Sequence, residues 1–525
     1  MIALKQQSYI GGNWVTPGGK PFSSQNPRTG ETVATYTSSG VQEVEQALNA
    51  ANAAYQQYRL LDKNAIAKFL NTIADEIEAL GDQLLETADK ETGLGIPRLT
   101  GERARTCGQI RAFAQLVAEG QWLQASIDTA IPDRQPLPKP DIRRMLRPIG
   151  PVVVFGASNF PFAFGTVGGD TASALAAGNP VVVKGHSFHP ATSELFCHAV
   201  DKAIQSCGMP KGIFSLLLGN GHDMGAALVK HPFTQAVGFT GSLKGGRTFM
   251  DLAAARENPI PVYTEMGSIN PVFILEDALK TKAESIAAGL SASVCLGTGQ
   301  FCTSPGIAVT LKNPGFEKML KEKFDEKPRG VLLHSRIGSA FSEAISEVVK
   351  HPNVGWLNFT PMGDNILMPP NVVFKTSATA FLADPKLSGE IFGPAILLVV
   401  CDDMNQMLAV AKNLSGNLTA TIHATDADSA DAAQLLSLLD QKVGRIVYNG
   451  FPTGVEVCPS QQHGGPYPAT SNAFSTSVGT DAITRFVRFV AFQGTPNNLL
   501  PDALKNENPY GIYRKVNGKL TRDAV

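Results

Sequence analysis

The sequence predicts an α/β protein built on a doubly wound parallel sheet, and three observations carry that prediction. From Pro151 onward, short valine-rich apolar runs recur without the alternation of a half-exposed strand, as strands covered on both faces require. A helix-like stretch follows each run, which is how one parallel strand reaches the next. Gly178 and Gly208 stand where such helices would end in a left-handed turn.

The chain has 525 residues, enough for two or three domains. After a short extended start, a helix is predicted over 39–59. There Val41, Val44, Leu48, Ala51, Tyr55 and Tyr58 fall at three- and four-residue steps, and Ser39 with Gln42 reads as a capping box. A second amphipathic helix is predicted over 63–80, with Ile66, Phe69, Leu70, Ile73 and Ile77 as a core stripe. The buried runs are 152–155, 181–184, 214–218, 236–239 and 260–265, joined by helices at 164–177, 191–206, 223–230 and 243–256. Ligands of such sheets bind beyond the carboxyl ends of the strands, which points to Asn159, Lys184, residues 219–221 and 240–242, and Glu265. A second α/β unit follows, with a helix over 282–294 and strands at 307–311, 396–400, 418–423 and 445–448. The Pro-rich stretch 131–140 and the tail 486–492 fit neither pattern.

Lys+Arg number 45 against 46 Asp+Glu, so no excess charge argues for nucleic acid or an acidic membrane surface. The first residues lack a signal-peptide pattern and no apolar run is long enough to span a bilayer, so a cytoplasmic protein with small organic ligands is expected. Seven cysteines, Cys107, Cys197, Cys207, Cys295, Cys302, Cys401 and Cys458, show no Cys-x-x-Cys spacing. Neither a disulfide framework nor a metal site is expected.

Cys302, in Gly299-Gln300-Phe301-Cys302-Thr303, is framed by small and polar residues. A thiolate attacks a carbonyl carbon far better than a hydroxyl does at neutral pH, although a single cysteine often serves only as a small buried hydrophobe. Glu265 ends an apolar strand next to Gly267, where an unpaired carboxylate is costly. That position predicts a raised pKa, suited to a general base, with a structural hydrogen-bonding glutamate as the alternative. Gly238-Phe239-Thr240-Gly241-Ser242, followed by Gly245 and Gly246, opens a helix after a strand, so its N–H groups could receive a pyrophosphate. Asn159 would by default be a turn former, and Glu390-Ile391-Phe392-Gly393-Pro394 a surface turn. Gly101, Arg105 and Gln109 share one helix face at four-residue spacing.

In order along the chain, Ser158-Asn159-Phe160-Pro161-Phe162, the Gly238 turn, Thr264-Glu265-Met266-Gly267, the Cys302 segment and the Glu390 segment resemble the aldehyde dehydrogenase superfamily over nearly the whole sequence. The resemblance implies a doubly wound cofactor-binding domain at 1–126 and 149–262, an α/β catalytic domain at 263–477, and a small bridging β-sheet for oligomerisation at 127–148 and 478–525. It implies Cys302 as nucleophile, Asn159 as oxyanion donor together with the Cys302 N–H, and Glu265 as activator of the water that hydrolyses a thioester. It implies Lys184 at the adenosine ribose, Gly241 and Ser242 at the pyrophosphate, Gly267 nearby, and Glu390 with Phe392 at the nicotinamide ribose and ring.

Two departures from relatives stand out. Many NAD-dependent members follow the lysine with Pro-x-Glu, whereas this chain has Gly185-His186-Ser187. A carboxylate would repel a 2′-phosphate and Ser187 would not, so NADP is expected to be preferred, with NAD possible. His186 and His222 could add donors there or be ordinary loop histidines. Ser268-Ile269 replaces Gly-Lys, which touches local packing only. Alignment places Arg105 where relatives have an apolar tunnel residue, while Phe160, Phe164, Leu296, Phe301, Thr303 and His463 are the other wall candidates.

The stretch from Phe155 to Phe164 is similar to 2,5-dioxovalerate (α-ketoglutaric semialdehyde) dehydrogenases and to the fatty aldehyde dehydrogenases of luminous bacteria. The expected reaction is oxidation of 2,5-dioxopentanoate to 2-oxoglutarate, without a metal, in a homodimer or homotetramer. A medium- or long-chain fatty aldehyde is the alternative substrate. Acyl transfer to coenzyme A and a non-catalytic, crystallin-like role are the other readings. An intact Glu265 favours hydrolysis over the first, and the presence of Cys302, Asn159 and Glu265 argues against the second.

Overall fold

The computed structural model describes residues 2–525. Five parallel strands form the heart of the first sheet in the order Val262–Glu265, Ala236–Thr240, Val152–Phe155, Val181–Lys184 and Phe214–Leu217. Two short antiparallel strands, Ser8–Ile10 and Asn13–Val15, extend it past Phe214–Leu217. Val152, Val153, Val181, Val182 and Val183 are fully buried, which accounts for the unbroken valine runs. The order in which strands are added reverses at Val152–Phe155, whose neighbours on either side come later in the sequence. The carboxyl ends on both sides of that switch point carry the candidate residues.

The second sheet also has seven strands, in the order Gly355–Asn358, Val372–Ser377, Ala395–Cys401, Ile307–Leu311, Val272–Ile274, Asn417–His423 and Val443–Tyr448. All pair in parallel except the Gly355–Asn358 edge. The four strands expected here are present, but Val272–Ile274, Gly355–Asn358 and Val372–Ser377 went unread. Val272–Ile274 is only three residues long, too short for a periodicity to register. A third, five-stranded sheet joins Val487–Gln493, Ile142–Pro148, Ser126–Asp128, Arg514–Val516 and Lys519–Thr521. The Pro-rich stretch supplies none of these strands. It is a loop closed by a bridge between Ile131 and Lys139, because proline cannot donate to a ladder.

Two helix expectations need correction. The first helix spans Val41–Tyr58 and its box is formed by Gly40 and Glu43, whose Oε2 accepts from the Gly40 N–H at 2.7 Å. Ser39 is instead buried against Ser8, with the hydroxyl oxygens 2.9 Å apart. The helix expected over 164–177 spans only Gly169–Ala176. Before it the chain turns so tightly that a Cβ on Gly165 would lie 1.8 Å from the Pro161 carbonyl oxygen, and one on Gly168 2.3 Å from that of Ala163. Those turns bring Asn159, Phe160 and Phe164 to the mouth of the switch point.

Candidate functional site

Three side chains from different parts of the chain meet between the two large sheets. Glu265 closes strand Val262–Glu265, Cys302 lies in the loop after helix Ala283–Cys295, and His463 comes from the segment leading to the third sheet. The His463 Nε2 is 3.0 Å from Glu265 Oε1 and 3.6 Å from Cys302 Sγ, and the three ligand atoms lie within 4.8 Å of one another. The Ser477 hydroxyl donates to Glu265 Oε2 at 2.7 Å. Burial and the facing Glu265 carboxylate push the Cys302 thiol pKa well up. Burial alone would also raise Glu265, but the His463 imidazole and the Ser477 hydroxyl outweigh it and hold the carboxyl below its ordinary range. The raised pKa expected for Glu265 is therefore overturned. The strand supplied the burial, and a partner nearly two hundred residues downstream supplied the compensation.

The Cys302 loop is held by its backbone. Gly297, Thr298 and Gly299 take successive left-handed φ values of 55°, 61° and 68°, an arrangement costly for threonine and open to glycine. A Cβ on Gly299 would lie 2.1 Å from the Gly393 carbonyl oxygen, so the loop packs directly on Gly393-Pro394. Asn270 Nδ2 donates to the Cys302 and Ser304 carbonyls at 2.8 and 2.9 Å. Ser268 donates to Asn270 Oδ1 at 2.8 Å, so this departure from relatives belongs to a buried network supporting the loop. The Asn159 amide reaches the same loop, donating to the Gln300 carbonyl at 3.1 Å. Thr303 is buried.

Phe160, Phe164 and Phe301 form one aromatic cluster, with Phe160 edge-on to both others at 5.8 and 5.1 Å. Two arginines from helix Ile96–Glu119 press against it. Arg105 lies 5.8 and 5.7 Å from the Phe160 and Phe164 ring centres, and its Nε and Nη2 are buried with no hydrogen-bond partner. Arg98 lies 4.6 and 5.0 Å from Phe301 and Phe160. Its Nη2 donates to the Asn159 carbonyl at 2.6 Å while Nη1 is buried and unpartnered. Between them on the helix, Glu102 Oε1 accepts from the Phe162 and Ala163 N–H groups at 2.8 and 2.9 Å, while its Oε2 is buried without a hydrogen-bond partner. Leu296, the remaining wall candidate, is 49% exposed.

The dinucleotide candidates lie along the strand ends. Ser242 caps helix Leu243–Ala254, accepting from the Gly245 N–H at 3.2 Å, and the exposed Gly241–Ser242 turn leaves the helix N-terminus open. A Cβ on Gly267 would come within 2.4 Å of Glu390 Oε2, so that carboxylate lies over bare backbone, with Phe392 two residues on. Lys184 ends its strand opposite Phe155, and burial, with Arg336 adding like charge, lowers it to about 8. His186 meets Phe188 edge-on at 4.4 Å, and Phe188 lies flat on His334 at 3.7 Å, while half-buried Ser187 lies between His186 and Phe188 in sequence. His222 stands apart, exposed at the start of helix His222–Lys230.

Residues 14–330 match the family model described as the aldehyde dehydrogenase family. This chain belongs to that family. It is 46% identical to alpha-ketoglutaric semialdehyde dehydrogenase 2 of Azospirillum brasilense, over 99% of this chain and 100% of the relative. It is 44% identical to an alpha-ketoglutaric semialdehyde dehydrogenase of Acinetobacter baylyi, over 93% of each. Among solved structures, betaine aldehyde dehydrogenase of Staphylococcus aureus superposes with a TM-score of 0.81 at 19% identity, covering 94% of this chain and 96% of that one. An NADP-dependent enzyme of E. coli gives 0.80 at 21%, covering 93% and 98%. These solved neighbours fix the fold, and membership makes the chain an oxidoreductase that acts on small-molecule aldehydes with NAD(P). Among the described residues no helix is long and apolar enough to cross a membrane.

Sequence reasoning missed four parts of this aldehyde dehydrogenase site. His463 was read as pocket wall and instead touches Cys302 and Glu265. Arg98, seven residues before Arg105 on the same helix, carried a findable signal, since that spacing is two helical turns. Asn270 and Gln300 act through backbone carbonyls and N–H groups, which leave no mark in a side-chain pattern.

Proposed function

We propose that the chain oxidises 2,5-dioxopentanoate to 2-oxoglutarate through a thioester on Cys302, with NADP preferred and NAD accepted. The observation that carries the substrate is the pair Arg98 and Arg105, whose buried N–H groups lack partners beside the nucleophile loop. Unsatisfied guanidinium donors are costly among aromatic rings, and an incoming carboxylate with its 2-oxo oxygen would relieve them. A fatty aldehyde would fill the aromatic wall yet leave those donors unpaired. The names of the relatives from Azospirillum and Acinetobacter support the same choice.

In this reading the Cys302 proton is released to solvent as sulfur bonds to the aldehyde carbon, so the Glu265–His463 pair stays as it was. One Asn159 N–H is fixed by Gln300, which leaves its second N–H, with the Cys302 N–H, for the oxyanion. The bound nicotinamide supplies the hydride acceptor. Glu265, kept ionised by His463 and Ser477, then takes a proton from water as the hydroxide bonds to the acyl carbon and thiolate leaves. An intact Glu265 favours hydrolysis over transfer to coenzyme A.

The chain's residues fit the dinucleotide: an open helix N-terminus at Ser242, bare backbone at Gly267 facing Glu390, and the Lys184 cation at a strand end. Ser187 and His186, with Arg336 adding positive charge nearby, support a 2′-phosphate. We further infer a cytoplasmic homodimer or homotetramer joined through the third sheet, where Phe489 and Leu520 are exposed. Initial rates of NADP reduction with 2,5-dioxopentanoate, succinate semialdehyde and a medium-chain aldehyde test the substrate. The reading stands if the first has the highest kcat/KM and falls if the medium-chain aldehyde does.

A further inference from the structure

Cys302 Sγ, His463 Nε2 and Glu265 Oε1 are not only catalytic partners but also three donors of the kinds that bind borderline metal ions. Zinc–sulfur bonds of about 2.3 Å and zinc–nitrogen or zinc–oxygen bonds of about 2.0–2.1 Å place tetrahedral ligands about 3.6 Å apart for S and N, and about 3.3 Å apart for N and O. The corresponding separations here are 3.6 Å and 3.0 Å, and all three donor atoms lie within 4.8 Å of one another, so the donors stand near ligand spacing before any ion arrives. The cluster comes from three separate segments and is walled in, with His463 and Glu265 2% and 4% exposed, while Cys302 remains half-buried and reachable.

We propose that this triad captures one Zn²⁺ in the absence of aldehyde and that zinc is a reversible inhibitor of the enzyme. Binding displaces the thiol proton to solvent, and a thiolate and a carboxylate then cancel the two charges of the ion in a dry site, with the imidazole as neutral third ligand. Water fills the fourth position, as it does wherever three protein ligands hold zinc. Mixed sulfur, nitrogen and oxygen donors select zinc or cobalt over magnesium and calcium, which take oxygen. Arg105 opposes the ion with its own charge but favours the thiolate form of its sulfur ligand. With the thiolate bound to metal, no nucleophile is left for aldehyde, and the same bond shields the sulfur from oxidation. The capture requires no assumption about the physiological aldehyde.

The test is a titration of chelator-treated enzyme with Zn²⁺ alone, read by competition with a chromogenic chelator and, separately, with Co²⁺ by absorption. One zinc per chain is expected, with a thiolate-to-cobalt charge-transfer band. Cys302→Ala and His463→Asn should each weaken zinc roughly a hundredfold or more through loss of one ligand, and Cys302→Ala should also abolish the cobalt band. Zinc should slow alkylation of Cys302 by iodoacetamide, and a chelator should restore aldehyde oxidation. If His463→Asn does not fold, as judged by circular dichroism, Cys302→Ala alone decides. Zinc binding unchanged in Cys302→Ala, or cobalt bound without a thiolate band, overturns the proposal.

Discussion

Three charged residues near the Cys302 loop, buried Glu265 and half-buried Arg98 and Arg105, differ in one respect. Glu265 is saturated: His463 and Ser477 each take one of its oxygens. Arg98 and Arg105 are not, since each keeps N–H groups that reach no acceptor. A satisfied buried charge is stable by itself and can serve as fixed equipment, whereas an unsatisfied one stores a cost that only a ligand can remove. In the function proposed, the first pattern serves chemistry on every turnover and the second serves recognition.

The largest effect is expected where the saturated side is broken. Cys302→Ala should abolish turnover while dinucleotide affinity, followed by fluorescence titration, stays within a few-fold. Residual turnover near the parent's would remove Cys302 from its role. Glu265→Gln should lower steady-state turnover by roughly 10²- to 10⁴-fold, yet leave a rapid burst of about one reduced cofactor per active subunit in stopped flow. Loss of the burst as well would assign Glu265 to the attack step rather than to hydrolysis.

On the unsaturated side the effect should be smaller and selective. Arg105→Met should reduce kcat/KM for 2,5-dioxopentanoate by roughly tenfold or more, through loss of a charge-assisted contact. It should leave or improve the rate with an uncharged aldehyde of similar length. If both substrates fall together, the arginine supports the helix and the contrast drawn above fails.

The cofactor end lies between these extremes, being polar and half-open, and its effects should be smallest. Lys184 is charged below about pH 8 and neutral above, so dinucleotide affinity should weaken severalfold as pH rises through that value, more for NADP than for NAD. A flat profile from pH 7 to 9.5, followed by calorimetry, would take Lys184 off the phosphate or ribose. Ser187→Glu should weaken NADP more than NAD by a few-fold; equal losses would put the 2′-phosphate elsewhere.

The parallel sheets were legible because buried strands have no polar face to hide their valines, as in Val181–Lys184 and Val152–Phe155. Cys302, Asn159 and Glu265 were singled out by their motifs, and the structure places all three at one loop. His463 was not, because its partners are 161 and 198 residues away, and nothing local distinguishes a wall residue from one that holds a carboxylate. The short helix at Gly169–Ala176 was overestimated because apolar period alone cannot register that Gly165 and Gly168 are pressed against backbone. The C-terminal hairpin Arg514–Thr521 escaped because three-residue strands carry almost no pattern.

The third sheet has a consequence in time rather than in space. Strand Ile142–Pro148 lies against Val487–Gln493, more than three hundred residues later in the chain. At synthesis rates of about 5–20 residues per second, the earlier strand leaves the ribosome on the order of tens of seconds before its partner exists. Throughout that interval it offers an open edge to any neighbouring nascent chain. Arg144 and Arg147 along that strand set like charges where an identical copy would pair, which is how charged side chains discourage edge-to-edge association.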